Sequence, residues 1–273
     1  MKTHNNICEG LSEDLALANK LTEALLKTIA ENKREIVHKY NKETIMGKFD
    51  SKDNFHSCLF DILHIDETEL VDFFGSKDIL EFVFAGEFLY SPKLYKQYTA
   101  QGGVIDLNEK VFGVSILFDK PMIFQKTVDS QVLNNPSMRS TITHEFAHVL
   151  QAVKMCLSSD GCEHMKYSFS RDKSVEGYYN SDEEFNAYCI ECASGIERWA
   201  TKNNKKIPNN FLHNLDNFYY FISNIFADDK KNKWMDLGGT IRNMFWNLSL
   251  ENKRKFMKKV AQQLASKNLI QFD

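Results

Sequence analysis

His144-Glu145-Phe146-Ala147-His148, set within the run from Asn135 to Leu157, is the stretch whose reading decides how the rest of this chain is laid out. No Gly or Pro interrupts residues 137–157, and Asn135-Pro136 has the character of an N-cap and a first helical residue. A helix is therefore expected to begin about two turns before His144. Side chains at i and i+4 share one face of a helix, so the two imidazoles can grip a single metal ion. Met138, Ile142, Val149, Leu150 and Val153 supply the apolar side of the same helix. Glu145, next to the first imidazole, is placed to take a proton from a nearby water. In a chain with 8 His this spacing arises by chance in roughly a few per cent of cases. The bland alternative is a core helix holding two satisfied histidines.

Context comes from Ser181-Asp182-Glu183-Glu184-Phe185-Asn186-Ala187-Tyr188, which opens a second helix reading to about Trp199. Phe185, Cys189, Cys192, Ile196 and Trp199 form its apolar stripe, whereas Glu184, Ala187 and Glu191 share a different face. A carboxylate there, beside a small Ala187, suits a third metal ligand, with Glu183 as the alternate. Two His and one Glu leave a fourth position open for water, as a catalytic zinc requires. Ser181-x-x-Glu184 is equally a capping box with Glu184 at N3, and the two roles are compatible.

Other ligand sets are weaker. A third His six residues past His148 would define a different class of site, but position 154 is Lys. Cys189-x-x-Cys192 with His144 and His148 makes a formal Cys2His2 set, which would be a closed structural zinc site. Both thiols, however, point with the apolar stripe of an unbroken helix. Asp160 and His164 lie in the loop between the two helices, a poorer platform for ligands.

The motifs His144-Glu145-Phe146-Ala147-His148 and Glu184-Phe185-x-Ala187 resemble those of the gluzincin metallopeptidases, among them enzymes like the anthrax lethal factor catalytic domain and the small bacterial HEFAH peptidases. The resemblance spans about residues 100 to 200 and rests on these motifs. It implies His144, His148 and Glu184 as zinc ligands and Glu145 as general base. The lethal-factor-like enzymes also place a Tyr shortly before the third ligand to stabilise the oxyanion, and Tyr178 and Tyr179 stand close to that place.

Upstream of the motif, Gly103 to Leu107 and Val111 to Phe118 read as β segments joined by the polar turn Asn108-Glu109-Lys110, with a short run Met122-Ile123-Phe124 after Pro121. A small antiparallel sheet followed by the metal helix is expected, with 111–118 or 121–126 as the edge that an extended peptide would join. Residues from Cys156 to Asn180 lack sustained periodicity and are expected to form a long loop. Elsewhere the pattern is helical: Leu11, Leu15, Leu21, Leu25 and Ile29 keep helical spacing, Asp66 and Ser76 have the character of N-caps, and 77–90 is rich in Phe. Phe211, Leu215, Phe218, Ile222 and Ile225 form a further stripe. Ser249 begins a last helix whose Lys253, Arg254, Lys255, Lys258 and Lys259 are expected to be a solvated face.

The chain has 273 residues, 43% of them apolar, and a net charge of −3. That is enough apolar content for a full core and no argument for nucleic acid as a partner. The expected class is α+β, mostly helical: a zincin-like core with a small antiparallel sheet and the HExxH helix, plus N- and C-terminal helical segments. Residues 1–95 are expected to form a helical subdomain and 96–273 the metallopeptidase domain. No run is apolar enough to span a membrane, and Met1 to Lys20 is polar where a leader would be apolar, so a cytoplasmic protein is expected. Delivery into another cell as an effector or toxin is compatible with that start. Six cysteines at irregular spacing suit a reduced compartment, with Cys156 and Cys162 able to pair in an oxidising one. The expected function is a zinc-dependent metalloendopeptidase with one Zn2+ per chain, acting on a protein or peptide substrate. Its rivals are the structural zinc site and a metal-free helical interaction module.

Overall fold

Val83-Phe84-Ala85-Gly86-Glu87-Phe88-Leu89-Tyr90 is apolar at nearly every position and buried from Phe84 to Leu89, the pattern of a strand covered on both faces. In the computed structural model it is β2, a central strand. The structure describes residues 4–46, 56–90, 100–118, 125–158, 179, 181–225 and 237–271. By their contacts the residues divide into two compact units, Ala18–Ser168 and Met1–Leu17 with Phe169–Asp273.

The first of these units is built on a four-stranded sheet in the order β1-β2-β4-β3, formed by β1 (His56–Asp61), β2 (Val83–Tyr90), β3 (Ala100–Asp106) and β4 (Val111–Phe118). The sheet is mixed, which corrects the antiparallel one expected: β1–β2 and β3–β4 are antiparallel, but β2–β4 is parallel. The cause is the β3–β4 hairpin, which lays β4 against β2 and leaves β3 outside. Among the described residues the edge strands are accordingly β1 and, on the side of the motif helix, β3. Of the two expected edges, 111–118 is β4 and central, and 121–126 ends in the helical turn Gln125–Val128, with residues 119–124 outside the described set. The hairpin turn is held by the Asp106 carboxylate, which accepts from the Asn108 and Glu109 amides at 2.9 and 3.2 Å, while Lys110 takes a left-handed φ of 50°.

Residues 1–95 are helical in α1 (His4–Met46) and α2 (Glu67–Phe74) but contain two strands of this sheet, β1 and β2. Asp66 caps α2 as expected, accepting from the amides of Thr68 and Glu69. Ser76 caps only the short 3-10 turn Lys77–Glu81, after which the Phe-rich run becomes strand. The part of α1 from Ala18 onward contributes Leu21, Leu25 and Ile29 to the core, each at most 1% exposed. A side chain built on Gly86 would strike Leu25 and Phe60, so α1 lies directly over β2.

Helix α3 (Pro136–Leu157) packs on β3 and β4. A buried hydroxyl pair joins it to α1: Thr143 Oγ1 lies 3.1 Å from Thr22 Oγ1, so one hydroxyl donates across the pair while the other donates within its own helix, to the Arg139 or the Ala18 carbonyl. Satisfied polar contacts of this kind fix one packing among several that apolar contacts alone would allow.

The other unit holds α4 (Asp182–Asn203), α5 (Leu215–Ile225), α6 (Leu237–Asn247) and α7 (Leu250–Ser266), with the two-residue strands β5 (Ile207–Pro208) and β6 (Ile270–Gln271) pairing in parallel. Phe218, Phe245 and Phe256, from α5, α6 and α7, meet with centroids 5.3 to 6.1 Å apart and make its aromatic centre. Ser249 caps α7 through the Asn252 amide. Lys259, expected on a solvated face, instead donates to Asn186 Oδ1 at 2.8 Å and lies 5.1 Å from the Phe185 ring, tying α7 to α4. No helix among the described residues is long and apolar enough to cross a membrane.

Candidate metal centre

Helix α3 presents His144 and His148 one turn apart, and their Nε2 atoms converge to 3.2 Å with ring planes at 75°. Two nitrogens at about 2.0–2.1 Å from a tetrahedral zinc stand about 3.3–3.4 Å apart, so the pair already has the bite of a bidentate chelate. His144 is buried, at 7% exposure, and His148 is half-buried.

Glu145 stands between the helix and the edge strand. Its Oε2 accepts the Gly102 amide at 2.7 Å, which holds the carboxylate beside β3. The approach of the two elements is so close that a Cβ on Gly102 would lie 2.1 Å from the Glu145 carbonyl oxygen and 2.8 Å from its Cβ. Only glycine fits there, and sequence reasoning missed it. The available signal was the Gly102-Gly103 pair inside a strand, a pattern that marks close backbone approach.

Helix α4 begins at Asp182, and Ser181 accepts the Glu184 amide at 3.4 Å, so the N-terminal half of the expected capping box is formed with Glu184 at N3. Glu184 itself is half-buried and Ala187 is fully buried. Glu183 lies in the same first turn. Considered over all the described residues, one group of metal-ligand side chains could hold an ion. It consists of His144, His148 and Glu184, with one ligand atom from each and all of them within 4.8 Å of one another. The donor set, two imidazoles and one carboxylate, fits zinc with a position left open.

Cys189 and Cys192 are not in that group. Both are 0% exposed and free, and α4 is buried on every side from Ala187 to Ile196. Burial pushes the Cys189 thiol up to about 12, against a small opposing effect of Lys259. The Cys192 thiol is raised well above its ordinary value, first by burial and then by Cys189 and Glu191. Thiols held protonated this way are poor metal ligands.

Tyr179 is half-buried, with its ring 5.6 Å from that of Tyr188. Burial raises its pKa, the Glu184 carboxylate adds to the rise, and a hydrogen bond with Tyr188 works against it. Tyr178, Asp160, Cys162 and His164 lie outside the described residues, as does most of the expected loop from Cys156 to Asn180. Cys156 itself is disulfide-bonded.

No protein-family model matches the chain. No curated protein and no solved structure matches it either.

Proposed function

We propose that this protein is a zinc-dependent metallopeptidase in which His144, His148 and Glu184 hold one Zn2+ and Glu145 is the general base. The observation that carries the reading is the convergence of the two imidazoles at 3.2 Å directly beside a carboxylate anchored at 2.7 Å to the edge strand. When bound, zinc would acidify water and withdraw charge from a carbonyl. The remaining work falls to the chain. Glu145 takes the proton of the attacking water and passes it to the leaving amine, and its hydrogen bond from Gly102 keeps the accepting oxygen in place meanwhile. The outer edge of β3, unpaired among the described residues, would offer backbone donors and acceptors to an extended peptide and hold the scissile bond in register with Glu145. The hydroxyl of Tyr179 or Tyr178 is assigned to the developing oxyanion.

Metal analysis of the purified protein tests the reading. One zinc per chain should be found in the wild type, kept in the Cys189→Ser/Cys192→Ser double variant and lost in Glu184→Ala. Zinc that leaves with the thiols would replace the open site by a structural one, and a metal-free wild type that takes up no zinc on titration would make α3 an ordinary core helix.

A further inference from the structure

We propose that the sheet carries a second site, on the face turned away from α1 and α3, that binds an organic cation through Glu87. The faces follow from the register. Gly86, Val114 and Gly102 are cross-strand partners, and side chains on the outer two would run into α1 and α3 respectively. The neighbouring row, Glu87, Ser115 and Gln101, must then point the other way, because successive residues of a strand alternate. There a cavity of about 230 Å³ is lined by Glu87, Leu89, Gln101, Ile105 and Ser115, among others, with Gly103 and Gly113 on the same face leaving its floor open.

Three features give the chemistry of the ligand. First, Glu87 is only 9% exposed, and its one polar partner among the described residues is the Ser115 hydroxyl, which donates to Oε2. The carboxylates of Glu69, Glu81 and Glu197 each meet a Lys, whereas Glu87 has no Lys, Arg or His partner among the described residues. A buried carboxylate with a single hydroxyl partner has acceptor capacity left for a donor that enters the cavity. Second, no basic residue is among the described residues that line the cavity, so a cationic guest meets there one negative group, one hydroxyl and one amide. Third, the apolar side chains Leu89 and Ile105 flank the polar row, which suits an aliphatic stem leading to a charged head. An alkyl guanidinium or alkyl ammonium, free or as an Arg or Lys side chain of a polypeptide, has this form, and guanidinium adds a planar fork that can bridge the carboxylate and the Gln101 carbonyl. The site shares the backbone of Gly102 with the surroundings of Glu145, but its polar row Glu87, Ser115 and Gln101 lies on the opposite face of the sheet.

Amide chemical shifts of the full chain test this, since the glycines at 102, 103 and 113 report from a sparse region of the spectrum. Butylguanidinium and a neutral pentapeptide with one central Arg should each be titrated, with butylurea and the citrulline peptide as uncharged matches of the same shape. We expect saturable shifts at Gly103, Gly113 and Ser115 for the cations, weakened about tenfold or more in Glu87→Gln, as loss of a buried charge pair entails. Ser115→Ala keeps the carboxylate and should keep the preference for guanidinium over urea. Saturation by butylguanidinium alone identifies a small-molecule site, and saturation by the peptide alone identifies a side-chain pocket. Equal binding of the urea and citrulline controls, undiminished binding to a folded Glu87→Gln protein, or no shift with any of the four probes would each overturn the proposal.

Discussion

Helices α3 and α4 are both 22 residues long, and each carries a pair of potential metal ligands at helical spacing, yet the chain treats the two pairs in opposite ways. His144 and His148 turn their Nε2 atoms toward each other at 3.2 Å. Cys189 and Cys192 share a face as well, but that face is sealed, with neither thiol exposed at all. Spacing alone says only which side chains share a face; what lies against the face decides whether they can do chemistry. A metal site needs donors in their lone-pair form and an open path, and burial among Phe and Ile side chains withholds both from the thiols.

The variant with the largest expected effect acts on the α3 side of this contrast. Glu145→Gln keeps an oxygen that can accept the Gly102 amide, so the fold and the metal should be retained. Peptide hydrolysis should fall by about 10²–10⁴-fold, the usual contribution of a positioned general base. An unchanged rate in a zinc-loaded variant would remove Glu145 from the mechanism. Next in size is Gly102→Ala, which forces a methyl group to within 2.1 Å of the Glu145 carbonyl. Separation of β3 from α3 should cost about 1–3 kcal/mol of stability, typical of overpacking at a rigid contact. Thermal unfolding measures it, and a variant as stable as the wild type would mean that the close approach is dispensable.

The α4 side is tested through pH. In the unfolded chain a thiol ionises near its ordinary value, whereas the folded protein holds the Cys189 proton up to about 12. A group with a raised folded pKa contributes stability that is complete below the unfolded pKa and is lost as pH rises toward the folded one. Cys189 should therefore cost the fold about 1.4 kcal/mol per pH unit above roughly pH 9. Unfolding curves from pH 8 to 11 should slope more steeply for the wild type than for Cys189→Ala. Parallel slopes would place the thiol in a more solvated setting than its burial indicates.

These contrasts also explain what could be read from residues alone. The bounds of α3, the strand at 111–118, the caps at Asp66 and Ser249 and the grouping of His144, His148 and Glu184 all rest on local patterns, and local patterns survive in the fold. Strand β2 was missed because it is buried on both faces, so the alternation that marks a half-exposed strand is absent and Ser76 ahead of it imitates a helix start. The edge was misplaced for a different reason. Which strand of a hairpin lies outside depends on the partner the other strand finds, and the pairing of β4 with β2 is written in neither strand. Gly102 and Glu87 have the same character: each is conspicuous only once its neighbour, Glu145 in one case and Ser115 in the other, is in place.

The smallest expected effect separates the two roles of the first turn of α4. Ser181 accepts the Glu184 amide, so the residue assigned to the metal is also the residue whose backbone the cap holds. Ser181→Ala removes the cap and should destabilise the protein by about 1 kcal/mol, while leaving the Glu184 carboxylate and the bound zinc in place. Glu184→Gln does the reverse: its backbone amide still meets Ser181, but a neutral amide is a far weaker zinc ligand than a carboxylate. Measuring zinc affinity and unfolding temperature for both variants should give losses that do not overlap, with affinity falling in Glu184→Gln and apo-protein stability in Ser181→Ala. If Ser181→Ala weakened zinc as much as Glu184→Gln, the cap would be positioning the ligand, and the first turn of α4 would be a single unit in which stability and metal binding cannot be changed separately.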